Sequence, residues 1–197
     1  RAGVPARNFF PVGSTSITYM VTDAAGNTAS CVQKITVEDR QAPALVCPPN
    51  LLWETDAGEC FASQATLGTP VATDNCAVAT VSNDAPGQFA KGVTVVTWTA
   101  IDGSGNATTC QQAVTVNDAE RPVIICPPDA VVSADAAKCF ASGINLGAAV
   151  TRDNCAVATV SNDAPSQFPI GVSIVTWTAT DTSGNTATCQ QRVTVLD

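Results

Sequence analysis

Short runs of apolar and β-branched residues alternate along the whole chain with Gly, Pro, Asp and Asn. Val93 to Ala100 and Val172 to Ala179 are β-branched runs with a tryptophan, and Val114 to Val116 alternates apolar and polar positions. Such runs predict β-strands, and the breakers between them predict turns. We find no amphipathic helix pattern. About seven short strands in roughly 80 residues is the pattern of an immunoglobulin-like sandwich.

The whole pattern repeats every 79 residues without a gap, as Cys31, Cys110 and Cys189 show. The segment from Asp74 to Pro86 recurs with identical residues from Asp153 to Pro165. This frame predicts the second half of a repeat at residues 1–39, then complete repeats at 40–118 and 119–197. Short, proline-flanked boundaries predict that neighbours sit end to end. The predicted fold class is therefore all-β, with tandem immunoglobulin-like β-sandwich domains.

The composition excludes several function classes. The chain has no histidine, and 9 basic against 17 acidic residues give a net charge of −8. Without histidine, Ser-His-Asp and Cys-His nucleophiles and His-ligated zinc are excluded. The acidic balance argues against nucleic acid as a partner, because little in the chain can neutralise phosphates. No spaced pair of carboxylates in a cleft indicates hydrolysis, so we do not expect an enzyme.

No apolar stretch reaches the roughly 18 residues of a membrane span. Because the chain starts at Arg1 without a signal peptide, we expect a mature or cropped piece of a protein. Nine cysteines without C-x-x-C metal spacings predict disulfides and an oxidising, extracellular location.

The cysteine pairing stays open, because four cysteines in a repeat allow three pairings. Strand order puts Cys47 and Cys110 at a similar height on neighbouring strands, with Cys76 near the same pole. Cys60 lies nearer the other pole and has no assignable partner. Cys31 is predicted to be unpaired within the chain or bonded to another chain. The cysteines predicted to form disulfides are Cys47, Cys60, Cys76, Cys110, Cys126, Cys139, Cys155 and Cys189.

The order of motifs resembles the HYR (hyalin repeat) family. In each complete repeat C-P-P is followed by a lone cysteine, then D-N-C, then F-x-x-G, then V-T-W-T-A-x-D-x-x-G-N, and closes on V-T-V-x-D. The resemblance covers both complete repeats and the half repeat, which lacks C-P, the middle cysteine and D-N-C. It implies an immunoglobulin-like fold, an extracellular location, and adhesion or matrix assembly rather than catalysis.

Aspartate and asparagine recur where the linker, the loop after the second strand and the last hairpin of such a sandwich would meet. Carboxylate and amide oxygens gathered at a joint suit calcium, which takes about six to eight oxygens. The same residues also make good β-turns, so a purely structural role stays open. The candidate calcium ligands are Asp39, Asp74, Asn75, Asp102, Asn106, Asp118, Asp153, Asn154, Asp181 and Asn185.

The half repeat supplies two final strands with one apolar face, and two strands alone are not stable. This face consists of Ile17, Tyr19, Val21, Ile35 and Val37. Either a longer array of the same repeats or another chain is expected to cover it. Strand complementation between subunits would produce filaments.

We therefore predict an extracellular structural or adhesive repeat protein, a stalk or filament subunit built of disulfide-stapled domains. Its expected partners are copies of itself and a cell-surface or matrix component, and calcium is the one cofactor considered. The alternative is a module that binds a glycan or protein ligand through its loops. Near-identical repeats without exposed aromatic patches weigh against that alternative.

Overall fold

The computed structural model describes residues 9–63 and 66–197, and every regular element in these ranges is a β-strand. Residues 1–39 contain β1 (Gly13–Thr22) and β2 (Thr28–Val37). The second repeat contains β3 (Ala44–Val46), β4 (Leu51–Glu54), β5 (Phe61–Ala62), β6 (Val71–Thr73), β7 (Val78–Asn83), β8 (Phe89–Ala90), β9 (Gly92–Asp102) and β10 (Ala107–Asn117). The third contains β11 (Val123–Ile125), β12 (Ala130–Ser133), β13 (Phe140–Ser142), β14 (Val150–Arg152), β15 (Val157–Asn162), β16 (Gln167–Pro169), β17 (Gly171–Asp181) and β18 (Thr186–Leu196).

The all-β prediction is confirmed, and the described residues of each complete repeat form eight strands where the sequence indicated about seven. The additional strands are two- and three-residue pairings that are too short to give a periodic signal. Within residues 9–63 and 66–197, no helix is long and apolar enough to cross a membrane.

Two compact units make up the described chain, and their boundaries fall inside the second repeat. The first unit takes the described residues of Arg1–Pro48, Gly68–Asp84 and Thr97–Gln111. The second takes those of Pro49–Leu67, Ala85–Val96 and Gln112–Asp197, and so includes the whole third repeat. The predicted domain limits at residues 39 and 118 stay predictions.

In the first unit, β1 and β2 form an antiparallel hairpin that pairs Tyr19 with Cys31. Strand β3 pairs with β6, and β7 pairs with the last residues of β9. The apolar face predicted for the hairpin is covered at Ile17, which is 1% exposed, but open at Val21, which is 65% exposed. The residues equivalent to Val21 in the complete repeats, Ala100 and Ala179, are fully buried.

In the second unit, the third repeat is an immunoglobulin-like sandwich. One layer is a four-stranded sheet of order β12-β18-β17-β15, in which β12 runs parallel to β18. The other layer consists of the ribbons β11-β14 and β13-β16. From the second repeat, this unit includes β4, which pairs in parallel with the last four residues of β10.

The core of the third repeat lies between these layers. Strand β17 buries Val175, Trp177 and Ala179 and leaves the threonines between them half-buried, which is the period of two of a β-strand with one face in a core. Phe168 and Ala141 from the ribbon β13-β16 belong to the same core. The alternating burial explains why the β-branched run could be identified as a strand.

One polar side chain completes this core. Gln191 is 1% exposed, and its Nε2 donates hydrogen bonds to the carbonyls of Pro128 (2.7 Å) and Leu146 (2.9 Å). Its Oε1 accepts one from Trp177 Nε1 (3.1 Å). Buried polar groups are stable only when they are hydrogen-bonded, so this glutamine fixes two irregular segments against the sheet.

Replacing Gln191 by leucine should lower the free energy of unfolding by about 3 kcal/mol, because two carbonyls and an indole N–H lose their partners. Gln190→Leu is the matched control, since Gln190 is exposed, and it should change stability by no more than about 0.5 kcal/mol. Urea unfolding followed by tryptophan fluorescence measures both. Equal stability of the two variants would contradict this role of Gln191.

Candidate functional site

The same D-x-x-G-N turn closes the final hairpin of every repeat. Oδ1 of Asp102 accepts hydrogen bonds from the backbone N–H groups of Ser104 (2.8 Å) and Asn106 (2.8 Å), and Oδ2 accepts one from Nδ2 of Asn106 (2.8 Å). Asp181 makes the three equivalent bonds, and so does Asp23. These aspartates therefore have a structural role in their own turns.

The turn bonds lower the pKa of all three aspartates. For Asp102 the side-chain bond from Asn106 has the largest effect on the pKa, and for Asp23 the corresponding bond has the largest effect. For Asp181 burial is the largest single influence and raises the pKa, but the side-chain and backbone bonds of the turn together outweigh it. The three carboxylates are accordingly ionised at neutral pH.

A second group of carboxylates, which we call the Asp118 cluster, comprises Asp118, Asp153 and Asp181. Carboxylate oxygens of the three residues lie within 4.8 Å of one another. Asp118 is 6% exposed and Asp181 is 2% exposed. Oδ1 of Asp118 accepts the N–H of Glu120 (3.1 Å), and Oδ2 accepts the hydroxyl of Ser183 (2.9 Å).

Two buried oxygens at the Asp118 cluster have no hydrogen-bond partner within residues 9–63 and 66–197. Asp153 uses Oδ2 to accept the N–H groups of Cys155 (3.0 Å) and Ala156 (3.0 Å), while its Oδ1 is unpartnered. Asn154 donates through Nδ2 to Asp118 Oδ1 (3.3 Å), and its own Oδ1 is also unpartnered. Unsatisfied buried oxygens are costly beside other carboxylates, and this donor set could hold a hard cation such as calcium.

The joint into the second repeat contains a related group, the Asp39 cluster, formed by Asp39, Asp74 and Sγ of Cys76. Asp74 Oδ1 is buried and has no hydrogen-bond partner in the described part of the chain. The pKa of the Cys76 thiol is raised, first by its hydrogen bond with Asp39 and then by burial and the neighbouring carboxylates. Among the described residues, Asp102 is not part of this cluster, although its equivalent Asp181 belongs to the Asp118 cluster.

The asparagines connect these groups to the linkers. Nδ2 of Asn106 donates to the carbonyl of Asp39 (3.1 Å), and Nδ2 of Asn185 donates to the carbonyl of Asp118 (3.1 Å). Asn75 donates to the side chain of Asp39 (3.3 Å), as Asn154 does to that of Asp118. At each joint the structure therefore brings together the linker, the D-N loop and the final hairpin.

Three disulfide bonds connect six of the nine cysteines. Cys47–Cys110 and Cys126–Cys189 lie within the second and third repeats, and each spans 63 residues. The third bond, Cys60–Cys155, spans 95 residues and joins the second repeat to the third. We call it the inter-repeat disulfide. The three alternative pairings considered above all joined cysteines of the same repeat. That assumption is wrong for Cys60 and Cys155.

The inter-repeat disulfide lies beside hydrogen bonds between the same segments. Nδ2 of Asn154 donates to the carbonyl of Glu59 (2.9 Å), and the N–H of Gly58 donates to Oε2 of Glu120 (2.8 Å). The loop before β5, the linker and the D-N-C loop of the third repeat are thus tied to one another. Sequence reasoning placed Cys60 at the far pole of its repeat but missed that this pole faces the next repeat.

The remaining cysteines, Cys31, Cys76 and Cys139, are free and exposed. Cys76 and Cys139 were predicted to form disulfides, and in this chain they do not. The reason is that Cys47 and Cys110 already bond each other and Cys60 bonds the third repeat, so Cys76 has no partner left in its own repeat. In the third repeat, Cys126 and Cys189 bond each other and Cys155 bonds the second repeat, so Cys139 has no partner left there either.

An open groove of about 960 Å³ borders the joint between the second and third repeats. Its lining includes Trp53, whose ring meets Phe89 edge to face with centroids 6.3 Å apart. Nζ of Lys91 donates to the hydroxyls of Thr182 (2.8 Å) and Ser183, and so connects the second repeat to the third. Sequence reasoning missed this contact, because nothing in the pattern distinguishes Lys91 from other surface lysines.

Acid should destabilise the protein through the turn aspartates. Folding lowers the pKa of Asp102 below its ordinary 3.8. Its contribution to stability is therefore complete above about pH 4 and is lost as the pH falls through the lowered pKa. Asn106→Ala removes the largest cause, so NMR titration of the Asp102 carboxyl should show a higher pKa. Asn117→Ala, an exposed change, should leave that pKa unaltered. Identical Asp102 titrations in the two variants would refute this assignment.

Known proteins are similar in sequence to nearly the whole chain. Hyalin of Strongylocentrotus purpuratus is 34% identical over 95% of this chain and 16% of its own length. Hyalin of Lytechinus variegatus is 29% identical over 96% of this chain and 38% of its own length. The chain therefore spans less than half of the length of either relative.

Among solved structures, Drosophila N-cadherin EC1-4 matches 95% of this chain and 59% of its own, with 13% identity and a TM-score of 0.44. Likeness at that level supports no statement about function. The family model described as HYR domain matches residues 2–37, 38–116 and 117–195. Because these three matches cover almost the entire chain, the protein belongs to the HYR domain family.

Proposed function

We propose that this chain is a segment of an extracellular structural and adhesive repeat protein, a stalk or filament element whose consecutive repeats are locked to each other. The observation that supports this function is the inter-repeat disulfide between Cys60 and Cys155. Domains joined only by a linker move relative to each other by default. A second covalent connection restricts that motion, which suits a protein that holds a shape or transmits force.

The disulfides also support the extracellular location. Such bonds persist in oxidising compartments and are rare in the cytosol. In the simple chain-entropy treatment, each 63-residue loop closed by Cys47–Cys110 or Cys126–Cys189 contributes about 4 kcal/mol by restricting the unfolded chain. Small sandwiches with limited cores depend on such restriction. The HYR resemblance implies a role in adhesion or matrix assembly, with a partner on a cell surface or in a matrix.

Self-association or a longer array would complete the first hairpin. Strands β1 and β2 correspond to β9 and β10, and Val21 is exposed where Ala100 is buried. Cys31 corresponds to Cys110, which in the second repeat bonds Cys47. We therefore propose that the first half of an HYR repeat, from the same array or from a second copy, covers this face.

Cutting the linker tests the covalent lock. A protease site inserted between Glu120 and Arg121, both exposed, separates the second repeat from the third. After cleavage, the two pieces should run as one species on a non-reducing gel and as two after reduction, because only the inter-repeat disulfide crosses the cut. Cys60→Ser with the same insertion should give two species without reductant. Separation of the wild-type pieces without reductant would contradict the proposed covalent connection between the repeats.

We further propose that calcium binds at the Asp118 cluster. The cluster offers three carboxylates, and the unpartnered oxygens of Asp153 and Asn154 add lone pairs that no hydrogen bond uses. Calcium prefers such oxygen ligands and accepts waters as well. Because turn N–H groups already occupy part of Asp181, we expect weak binding, with a dissociation constant of about 0.1–1 mM as in other extracellular modules.

Calcium should therefore stabilise the protein against heat. At a concentration about tenfold above the dissociation constant, the gain is about 1.4 kcal/mol. Asp153→Asn should abolish both the melting shift and the heat of calorimetric titration, because it removes the carboxylate with a free oxygen. Asp163→Asn removes one charge elsewhere, where the side chain accepts only the N–H of Thr176, and should retain the shift. A wild-type melting temperature identical in calcium and chelator would overturn the calcium proposal.

A further inference from the structure

We infer that Cys139 and Cys76 each form a further disulfide of the same kind as Cys60–Cys155. Cys139 would bond the D-N-C cysteine of a following HYR repeat, and Cys76 would bond the middle cysteine of a preceding one. Cys139 lies 79 residues after Cys60, and Cys76 lies 79 residues before Cys155. Their equivalents are bonded to each other in this chain, whereas Cys139 and Cys76 are exposed and free. The inference deepens the structural role proposed above by naming the partner.

The loop that contains Cys139 already has the conformation of the bonded loop. The N–H of Asp135 donates to the carbonyl of Phe140 (2.9 Å), as that of Asp56 does to Phe61 (2.8 Å). The cysteine carbonyl of each loop accepts a backbone bond, at 3.3 Å for Cys139 and 3.2 Å for its bonded equivalent. The aspartate of each loop also accepts a serine hydroxyl and N–H. The loop is therefore shaped for the bond before a partner is present.

The loop that contains Cys76 likewise matches that of Cys155. The N–H of Cys76 donates to Asp74 Oδ2 (2.8 Å), as that of Cys155 does to Asp153 Oδ2 (3.0 Å). In both loops the preceding asparagine directs Nδ2 towards the cysteine sulfur, at 3.5 Å for Cys76 and 3.9 Å for Cys155. The second repeat thus has a free cysteine in the loop that would face a preceding repeat, and the third repeat has one in the loop that would face a following repeat.

The chemistry is thiol–disulfide exchange with a small-molecule disulfide such as oxidised glutathione. One cysteine thiolate attacks that disulfide, forms a mixed disulfide and releases one small thiolate. The thiolate of the partner cysteine then attacks the protein sulfur of the mixed disulfide and releases the second small thiolate. Two protein thiols and one small disulfide give one protein disulfide and two small thiols, so the two electrons pass to the oxidant.

Lengthening the chain by one repeat tests the inference. A second copy of residues 119–197 fused directly after Asp197 preserves the 79-residue spacing, because Asp197 is the equivalent of Asp118. After oxidation with glutathione, free thiols are alkylated and peptides are mapped by mass spectrometry. Cys139 of the first copy should be unmodified and linked to Cys155 of the added copy. In the original chain, Cys139 should be alkylated.

Two variants of the lengthened chain show whether Cys139 of the first copy escapes alkylation because it is bonded or because the reagent cannot reach it. Cys155→Ser in the added copy should return Cys139 of the first copy to full alkylation. Cys139→Ser in the added copy should leave the bond intact. The Cys60–Cys155 link, mapped in the same digest, reports that the joint has folded, and its loss alone would count against the proposed lock. Alkylated Cys139 in the first copy, or Cys139 linked to any other cysteine, would overturn the inference while that internal link is intact.

Discussion

The bond between Cys60 and Cys155 is the constraint on which the joint between the second and third repeats depends. The other connections there are hydrogen bonds, such as Asn154 to Glu59 and Gly58 to Glu120, each worth about 1 kcal/mol in a folded protein. Water competes with such bonds at an exposed joint. A disulfide keeps their partners at a high effective concentration, and so makes individually weak contacts persistent.

The two acidic clusters differ in their third potential ligand, and the D-N-C cysteine beside each cluster differs in its oxidation state. In the Asp39 cluster, Cys76 is a free thiol and its sulfur is the third potential ligand. In the Asp118 cluster, the equivalent Cys155 is bonded to Cys60, and Asp181 takes the third position. A cation at a bonded joint would therefore meet only oxygen atoms, which calcium prefers, whereas a thiol lies among the carboxylates at the unbonded one.

Features that arise inside one repeat were accessible from the sequence. The β-branched run with Trp177 predicted the strand that is β17, and D-x-x-G-N predicted the turn that Asp181 stabilises. Gln191 gave no signal, because a buried glutamine interrupts neither the period nor the strand. The partner of Cys60 could not be predicted either, since it depends on how one repeat meets the next. The sequence did indicate that Cys60 lies at the opposite pole from the other cysteines of its repeat. That position was the usable clue to a partner outside the repeat.

Differences between the two complete repeats show which parts of the joint must recur. Glu59 has Lys138 as its equivalent, and because Asn154 contacts the backbone carbonyl of Glu59, the opposite charge of Lys138 would not prevent the same contact at a further joint. Lys91 has Ile170 as its equivalent, and isoleucine cannot donate to the hydroxyls that Lys91 contacts. A joint after the third repeat would therefore lack that bridge. Its geometry would depend more strongly on the linker and on the cysteine pair, which are the parts that the 79-residue period reproduces.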